Sequence, residues 1–379
     1  MVMTQALIAQ AAREVTQPPV RQFPSQIINI AISTSALFDT RESQAIFNGQ
    51  GEAAFRSHMQ ENARTPFGLG PAFPFVAKML GLNRSDEPLV NLTILSRSNP
   101  QVLERVHHSL TAHGLVFPDK RRVRQTVGEA YTSGQPITPQ ILDNFQVDIF
   151  LSRHEGDVKA ALAGGFAAGL VMGEASRPET ERNKDIVLAF DFDRVVAVAK
   201  GHPRSGFKGD SEEFFQVRNQ KNPDKALIEY LEYETPHNDL AAQPGPLKAF
   251  FVKLFELRKH LEQSRAADDT QLKIAVVTAR SGGVLPRVIT TLRNWGVEPD
   301  ELYSVGTSSK TPHLRSLRAD VFFDDSERHA QGARQATTAI WVPWAAQNDL
   351  TPNPSAKGSV LRLVRPSGRR GHLRTVPKS

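Results

Sequence analysis

Short apolar runs rich in β-branched residues recur along this chain, at 27–33, 89–95, 147–151, 169–172, 185–190, 272–277, 301–305, 320–323 and 339–342. Each leads into a segment whose apolar positions return every three to four residues, the period of a helix with one buried face. The stretch after Arg280 shows the spacing: Val284, Leu285, Val288, Ile289 and Leu292 share a face, and Gly296 ends the helix. Apolar strands alternating with such helices predict an α/β protein built on a mainly parallel sheet. The polar segment 173–184, interrupted by Pro178, reads as a linker between two parts.

The two parts resemble each other. LSRSNPQVLERVHHSLTAHGL, from Leu95, aligns without gaps to VTARSGGVLPRVITTLRNWGV, from Val277. Val102/Val284, Leu103/Leu285, Arg105/Arg287, Val106/Val288, Leu110/Leu292 and Gly114/Gly296 are identical pairs. Further on, VDIFLSRHEGD, from Val147, parallels ADVFFDDSERH, from Ala319. Any two strand–helix units share apolar spacing, but matched arginines and glycines, with a second aligned unit in the same order, point to a duplication. On that alignment Ser33 and Ser35 stand opposite Asp191 and Asp193, and Ser152 and Arg153 opposite Asp324 and Asp325. The N-terminal copy lacks every carboxylate in question and cannot hold a hard divalent cation in the same way. It is expected to be degenerate and non-catalytic, with a structural or a regulatory role.

Composition narrows the classes. The 379 residues suffice for two core-building units, and 40% apolar with 23% charged residues is ordinary for a soluble protein. The absence of cysteine excludes disulfides and thiolate metal sites and fits a reducing compartment, so a cytoplasmic location is expected. No apolar run approaches the roughly 18–20 residues a bilayer span needs. The opening MVMTQALIAQAAREVTQPPV lacks the basic-then-apolar order of a secretory signal, so no membrane partner is expected. A formal charge of +6 suggests nucleic acid until the charges are located. Seven Lys and Arg, with no acid, follow Asp349, which leaves 6 − 7 = −1 for the body. The basicity belongs to a Pro-, Gly- and Ser-rich tail of the kind that stays solvated, and a nucleic-acid partner is not expected.

Four elements of the second part carry the candidate chemistry. VLAFDFDRVV is an apolar strand ending in Asp191-Phe192-Asp193, IAVVTAR one ending at Thr278, and DVFFDDS one ending in Asp324-Asp325; Lys310 lies in VGTSSKTPHL between the last two. Ligands of open α/β sheets bind at the carboxyl ends of strands, where three of the four elements fall. Phosphate-ester hydrolysis is among the slowest uncatalysed reactions. A carboxylate nucleophile divides it into two steps. A hard cation in an all-oxygen site screens the nucleophile from the phosphate, a lysine and a hydroxyl neutralise the other phosphoryl oxygens, and a second carboxyl moves the proton. Taken singly, each element has an ordinary reading as a turn, a loop start, a helix cap or a solvated lysine. The ordered set of four does not.

This order of DxD, T, K and DD resembles the haloacid dehalogenase superfamily over roughly 185–342. The resemblance implies a Rossmann-like core with a cap insertion, preceded here by the degenerate α/β copy. It makes Asp191 the nucleophile and Asp193 the general acid/base, and it assigns Thr278, Ala279 and Lys310 to the phosphate. Asp191, Asp193 (through its backbone carbonyl), Asp324 and Asp325 would hold Mg²⁺.

Four further stretches are similar to the cytosolic type I 5′-nucleotidase family: AISTSALFDTRESQAIF from Ala31, GLGPAFPFV from Gly68, QPGPLKAFF from Gln243, and VVTARS with FFDDSERHAQGA. That family implies nucleoside 5′-monophosphates as substrates; a related phosphatase or phosphotransferase acting on another small phosphomonoester is the alternative. Phe192 and Arg194 depart from the pattern, in which a small residue usually follows the first aspartate. The expected layout is a flexible segment 1–24, a non-catalytic half 25–175, a catalytic half 182–346 with a cap at about 200–268, and a disordered basic tail 350–379. Phe214, Phe215, Tyr230 and Tyr233 in the cap would either stack a base or form the cap's own core. Phe73, Phe75 and Arg280 are the candidate substrate contacts, and His237, His313 and His329 read as surface or structural residues. A homo-oligomer is left open. Truncation after Asp349 should leave turnover intact in a phosphate-release assay, whereas a tail-driven binder would lose its anionic partner.

Overall fold

A computed structural model of the chain describes residues 27–84, 88–115, 127–173, 184–198, 219, 222–266 and 269–344. The expected flexible segment 1–24, the basic tail, Phe214 and Phe215 lie outside the described residues. Ten strands form one sheet: β1 Ile28–Ile32, β2 Val90–Ser96, β3 Val127–Tyr131, β4 Ile149–Ser152, β5 Ala168–Val171, β6 Ile186–Phe190, β7 Leu272–Thr278, β8 Glu301–Ser304, β9 Val321–Asp324 and β10 Thr338–Trp341. The spatial order is β8-β7-β6-β9-β10-β5-β4-β1-β2-β3. Every neighbouring pair is parallel except β10 and β5. This is the Rossmann-like α/β architecture expected of the apolar runs, all nine of which are strands within a residue or two at each end.

Each half, counted from its own first strand, has the order 3-2-1-4-5, and the two fifth strands pair antiparallel at the seam. The carboxyl ends of the two strand sets therefore point to opposite edges of the sheet. Besides a single helical turn at Thr34–Leu37, ten helices accompany the strands among the described residues: α1 Arg41–Glu61, α2 Phe73–Leu80, α3 Leu103–Ala112, α4 Pro139–Asn144, α5 Glu155–Ala163, α6 Pro223–Glu234, α7 Lys248–Ser264, α8 Pro286–Asn294, α9 Thr311–Leu317 and α10 Glu327–Ala333.

Several bonds recur at equivalent places in the two halves. Arg105 Nε donates to Thr65 O at 3.0 Å and Arg287 Nε to Leu240 O at 3.1 Å. The Ser109 hydroxyl donates to Arg105 O and the Thr291 hydroxyl to Arg287 O, both at 2.7 Å. Those same hydroxyls accept from Phe67 N and Ala242 N, both at 2.9 Å. Across the seam Lys78 on α2 reaches Asp320, just before β9, at 2.7 Å, and Lys253 on α7 reaches Asp148, just before β4, at 2.6 Å. Such reciprocity is what a two-fold relation between the halves produces.

The sequence comparison missed β3. Its signal is weak alone, yet Glu129, Tyr131 and Gly134 repeat as Glu301, Tyr303 and Gly306 around β8. Both glycines take positive φ, 88° and 56°. The segment expected to be a cap, about 200–268, is not uniform. A two-residue ribbon pairs Ala197–Val198 with Gln243–Pro244, and the excursion carrying α6 lies between them. α7 belongs to the core. Phe250 and Phe251 pack on Phe190 of β6, which stacks on Phe323 of β9 at 4.8 Å. The periodicity of α7 could not distinguish a cap helix from a core helix, because both bury one face. The N-terminal half has the equivalent ribbon, Phe38–Asp39 with Gly68–Leu69, with α1 between its strands.

Gly70 and Gly245 close these ribbons with the same bond, donating N–H to Leu37 O and Val196 O at 2.9 Å. An added Cβ would lie 2.6 Å from Leu37 and Phe38 backbone at Gly70, and 2.7 Å from Val195–Ala197 backbone at Gly245. Gly70→Ala and Gly245→Ala should each cost about 1–3 kcal/mol in urea unfolding. An unchanged midpoint at either position would contradict the close approach.

Candidate active site

β6 lies between β7 and β9, at the point where the crossovers of its half leave in opposite directions, the usual ligand crevice of a doubly wound sheet. Asp191 is the first residue beyond β6, and Asp324 is the last of β9. Register pairs Phe190 with Phe323, and Asp191 N donates to Phe323 O at 2.8 Å, so the two carboxylates emerge side by side. Thr278, fully buried, ends β7 on the other flank. Lys310, directly before α9, brings its ammonium between the aspartates, 2.9 Å from Asp191 Oδ2 and 2.8 Å from Asp324 Oδ2.

Asp191, Asp324 and Asp325 each offer a carboxylate oxygen, and these lie within 4.8 Å of one another. One lysine cannot neutralise them. Burial, with Asp324 and Asp193 nearby, pushes the Asp191 carboxyl up to about 7 against the pull of Lys310. Burial and the Asp191 and Asp324 charges push Asp325 well above the usual carboxylate range, although Arg194 Nη1 lies 3.5 Å from its Oδ2. Burial also pushes Asp324 upward, but Lys310 and His329 outweigh it and hold the carboxyl low. A buried, oxygen-only and underneutralised set of this kind fits a hard divalent cation.

Asp193 faces elsewhere. Its carboxylate accepts three bonds from Arg280, at 2.8–3.0 Å from Nε and Nη2. Arg280 also donates to Glu234 at 2.9 Å, and Arg287 donates to both Glu234 oxygens at 2.8 Å. Glu234, the last residue of α6, is fully buried, and its two guanidinium partners overcome the burial and keep its carboxyl below the ordinary range. The helix of the excursion is thus tied to the DxD turn through a buried ion-pair chain.

The structure brings Asp191, Thr278, Lys310, Asp324 and Asp325 to one crevice, with Ala279 exposed at the turn after β7. Asp193 and Arg280 are there as a pair with each other. The Asp193 side chain is outside the three-carboxylate cluster. Phe73 and Phe75 are not brought to it: Phe75 is wholly buried in the N-terminal half, and Phe73 packs edge-on against His113. Their loop serves the opposite edge of the sheet, because GPAFPF is the N-terminal counterpart of GPLKAF at Gly245. Phe192 is fully buried, and Arg194 adopts φ 58°. His237 and His313 make local contacts with Tyr233 and Tyr303. His329, expected to make surface or structural contacts, lies beside the carboxylate cluster, its Nδ1 3.6 Å from Asp324 Oδ1. The signal was present in its helical position, one turn into α10 after the Asp-Asp pair. Glu234 had no local signal.

A doubly wound half-sheet with this crevice at its switch strand defines a haloacid dehalogenase-like α/β fold. Within that class the chain belongs to the 5′-nucleotidase family, whose sequence pattern matches residues 21–349. It is similar to cytosolic 5′-nucleotidase 1B of Homo sapiens, 26% identical over 320 residues that cover 82% of this chain and 48% of that protein. The chain therefore spans about half the length of that relative. No solved structure matches. Among the described residues, no helix is long and apolar enough to cross a membrane.

The raised Asp191 carboxyl has a stability consequence in chelator. Its contribution is fully present below the unfolded value of 3.8 and is lost as pH rises through about 7, because the folded state holds a proton the unfolded chain has released. Asp191→Asn should stabilise the cation-free protein at about pH 8 by on the order of 1–4 kcal/mol and flatten that pH dependence. Denaturant titrations at several pH values would show it; a destabilised variant at about pH 8 would contradict the sign.

Proposed function

We propose that the protein is a 5′-nucleotidase, a phosphoric monoester hydrolase that splits nucleoside 5′-monophosphates through an aspartyl-phosphate on Asp191. The observation that carries this reading is the sharing of the buried Lys310 ammonium by Asp191 and Asp324, beside a third carboxylate. A carboxylate so placed is positioned for attack, and the lysine is positioned to take over a phosphoryl oxygen. Family membership supports phosphomonoester chemistry, and the likeness to a cytosolic 5′-nucleotidase supports the nucleotide.

In the first step an Asp191 carboxylate oxygen bonds to phosphorus, the bond from phosphorus to the 5′ oxygen breaks, and Asp193 gives that oxygen a proton. In the second, Asp193 takes a proton from water, the water oxygen bonds to phosphorus, and the acyl phosphate opens to free Asp191 and inorganic phosphate. For either transfer Asp193 must leave Arg280; Glu234 remains as a carboxylate partner for the guanidinium when it does. Thr278 and the backbone at Ala279 complete the phosphoryl surroundings in this reading, and the excursion bearing α6 would exclude water. Asp191, Asp324 and Asp325 would hold Mg²⁺, which when bound supplies the charge that lets a carboxylate approach a phosphate dianion.

A phosphate-release panel of nucleoside monophosphates and sugar phosphates, with Mg²⁺ and with chelator, tests the proposal. Nucleotides should be preferred, chelation should abolish release, and Asp191→Asn should lower turnover by roughly 10⁴-fold or more. Comparable release from sugar phosphates would remove the nucleotide assignment, and an active Asp191→Asn protein would remove the mechanism.

A further inference from the structure

The N-terminal half keeps the frame of the crevice while changing its charge. Ser33 N donates to Leu151 O at 2.9 Å, as Asp191 N does to Phe323 O at 2.8 Å. His154 N donates to the Ser152 hydroxyl at 3.1 Å, as Ser326 N does to Asp324 Oδ1 at 2.8 Å. Ser98 N donates to the Ser96 hydroxyl at 3.2 Å, as Arg280 N does to the Thr278 hydroxyl at 3.1 Å. Three corners of the catalytic crevice are thus reproduced at the ends of β1, β4 and β2. Where the catalytic half has Asp191, Asp193, Asp324 and Asp325, this half has Ser33, Ser35, Ser152 and Arg153.

Four carboxylates have become three hydroxyls and a guanidinium. The Ser33 and Ser35 hydroxyls are 3.5 Å apart, the Arg153 backbone N–H donates to Ser33 Oγ at 3.3 Å, and the Arg153 guanidinium donates to Gly173 O just after β5. The nearby acids are matched, Asp157 by Arg97 in a two-bond pair and Asp39 by Arg41. An independent observation marks the same turn. Thr34, between the two serines, is 6% exposed, and its buried hydroxyl has no hydrogen-bond partner. Buried hydroxyls are normally satisfied, so an orphan beside a built crevice points to a group the chain does not supply.

We propose that this N-terminal crevice is a second site, binding the phosphate of a phosphomonoester without a divalent cation and without turnover. Hydroxyl and guanidinium donors suit a tetrahedral oxyanion directly. No carboxylate at these positions repels the anion, and none can attack it. The antiparallel seam puts this site at the opposite edge of the sheet from Asp191, so both can be filled together. The proposal stands apart from the catalytic reading, because its test needs no turnover.

The experiment is calorimetric titration of the full-length Asp191→Asn protein, in chelator, with inorganic phosphate and separately with AMP. Binding should survive chelation, weaken at least tenfold in Arg153→Ala and in Ser152→Asp, and recover substantially in Arg153→Lys. Melting curves of each variant separate lost binding from lost fold, and Arg153→Lys keeps the question open to measurement if Arg153→Ala does not fold. Tighter binding of AMP than of phosphate would support a nucleotide as the ligand, and equal binding would support the inorganic anion; both uphold the site. Absence of binding in chelator at millimolar ligand, or binding indifferent to Arg153 and Ser152, would overturn it.

Discussion

The buried ammonium of Lys310, held between Asp191 and Asp324, sets the terms for the rest of the C-terminal half. A lysine 4% exposed is tolerable only with hydrogen-bonded countercharges, and it has two within 3 Å. Those bonds require β6 and β9 to be adjacent, parallel and level at their carboxyl ends. The order 3-2-1-4-5 provides this, and the aromatic stack of Phe190 on Phe323, covered by Phe250 and Phe251, locks it from below. The third carboxylate, Asp325, then overloads the cluster. That excess negative charge is what a divalent cation would relieve.

The same frame occurs twice, and the two halves brace each other. Lys78 and Lys253 each cross to an aspartate at the foot of the other half's strands, and β5 and β10 join the sheet without an exposed edge at the centre. The N-terminal half completes the large sheet that supports β6, β7 and β9. The carboxyl ends of its strands point away from Asp191, to the opposite edge of the sheet.

Glu234 ties the excursion between the ribbon strands to the Asp193 turn. Glu234 binds both Arg280 and Arg287, and Arg280 in turn binds Asp193. The N-terminal counterpart of Arg287, Arg105, instead meets His58 of α1 at 3.2 Å. The scaffold contact is common to both halves, while the buried carboxylate that links it to Asp193 through Arg280 belongs to the C-terminal half.

The sequence by itself determined the parallel sheet and the order of Asp191, Asp193, Thr278, Lys310 and Asp324-Asp325, because apolar strands and their terminal polar residues are local patterns. Internal likeness also pointed to two related halves, since matched glycines and arginines mark backbone positions and buried contacts that both halves keep. Only the tertiary structure decided which side chains meet. It turned Asp193 to Arg280, brought His329 to Asp324 and Glu234 to both arginines, and returned α7 from the cap to the core. It also turned the strand ends of the half that carries Phe73 and Phe75 away from Asp191, because the direction in which two half-sheets join is set by seam pairing rather than by any residue near those phenylalanines. Contacts of high sequence separation leave no period to read, so the chemistry was legible where it sat on strand ends and hidden where it depended on the seam and the excursion.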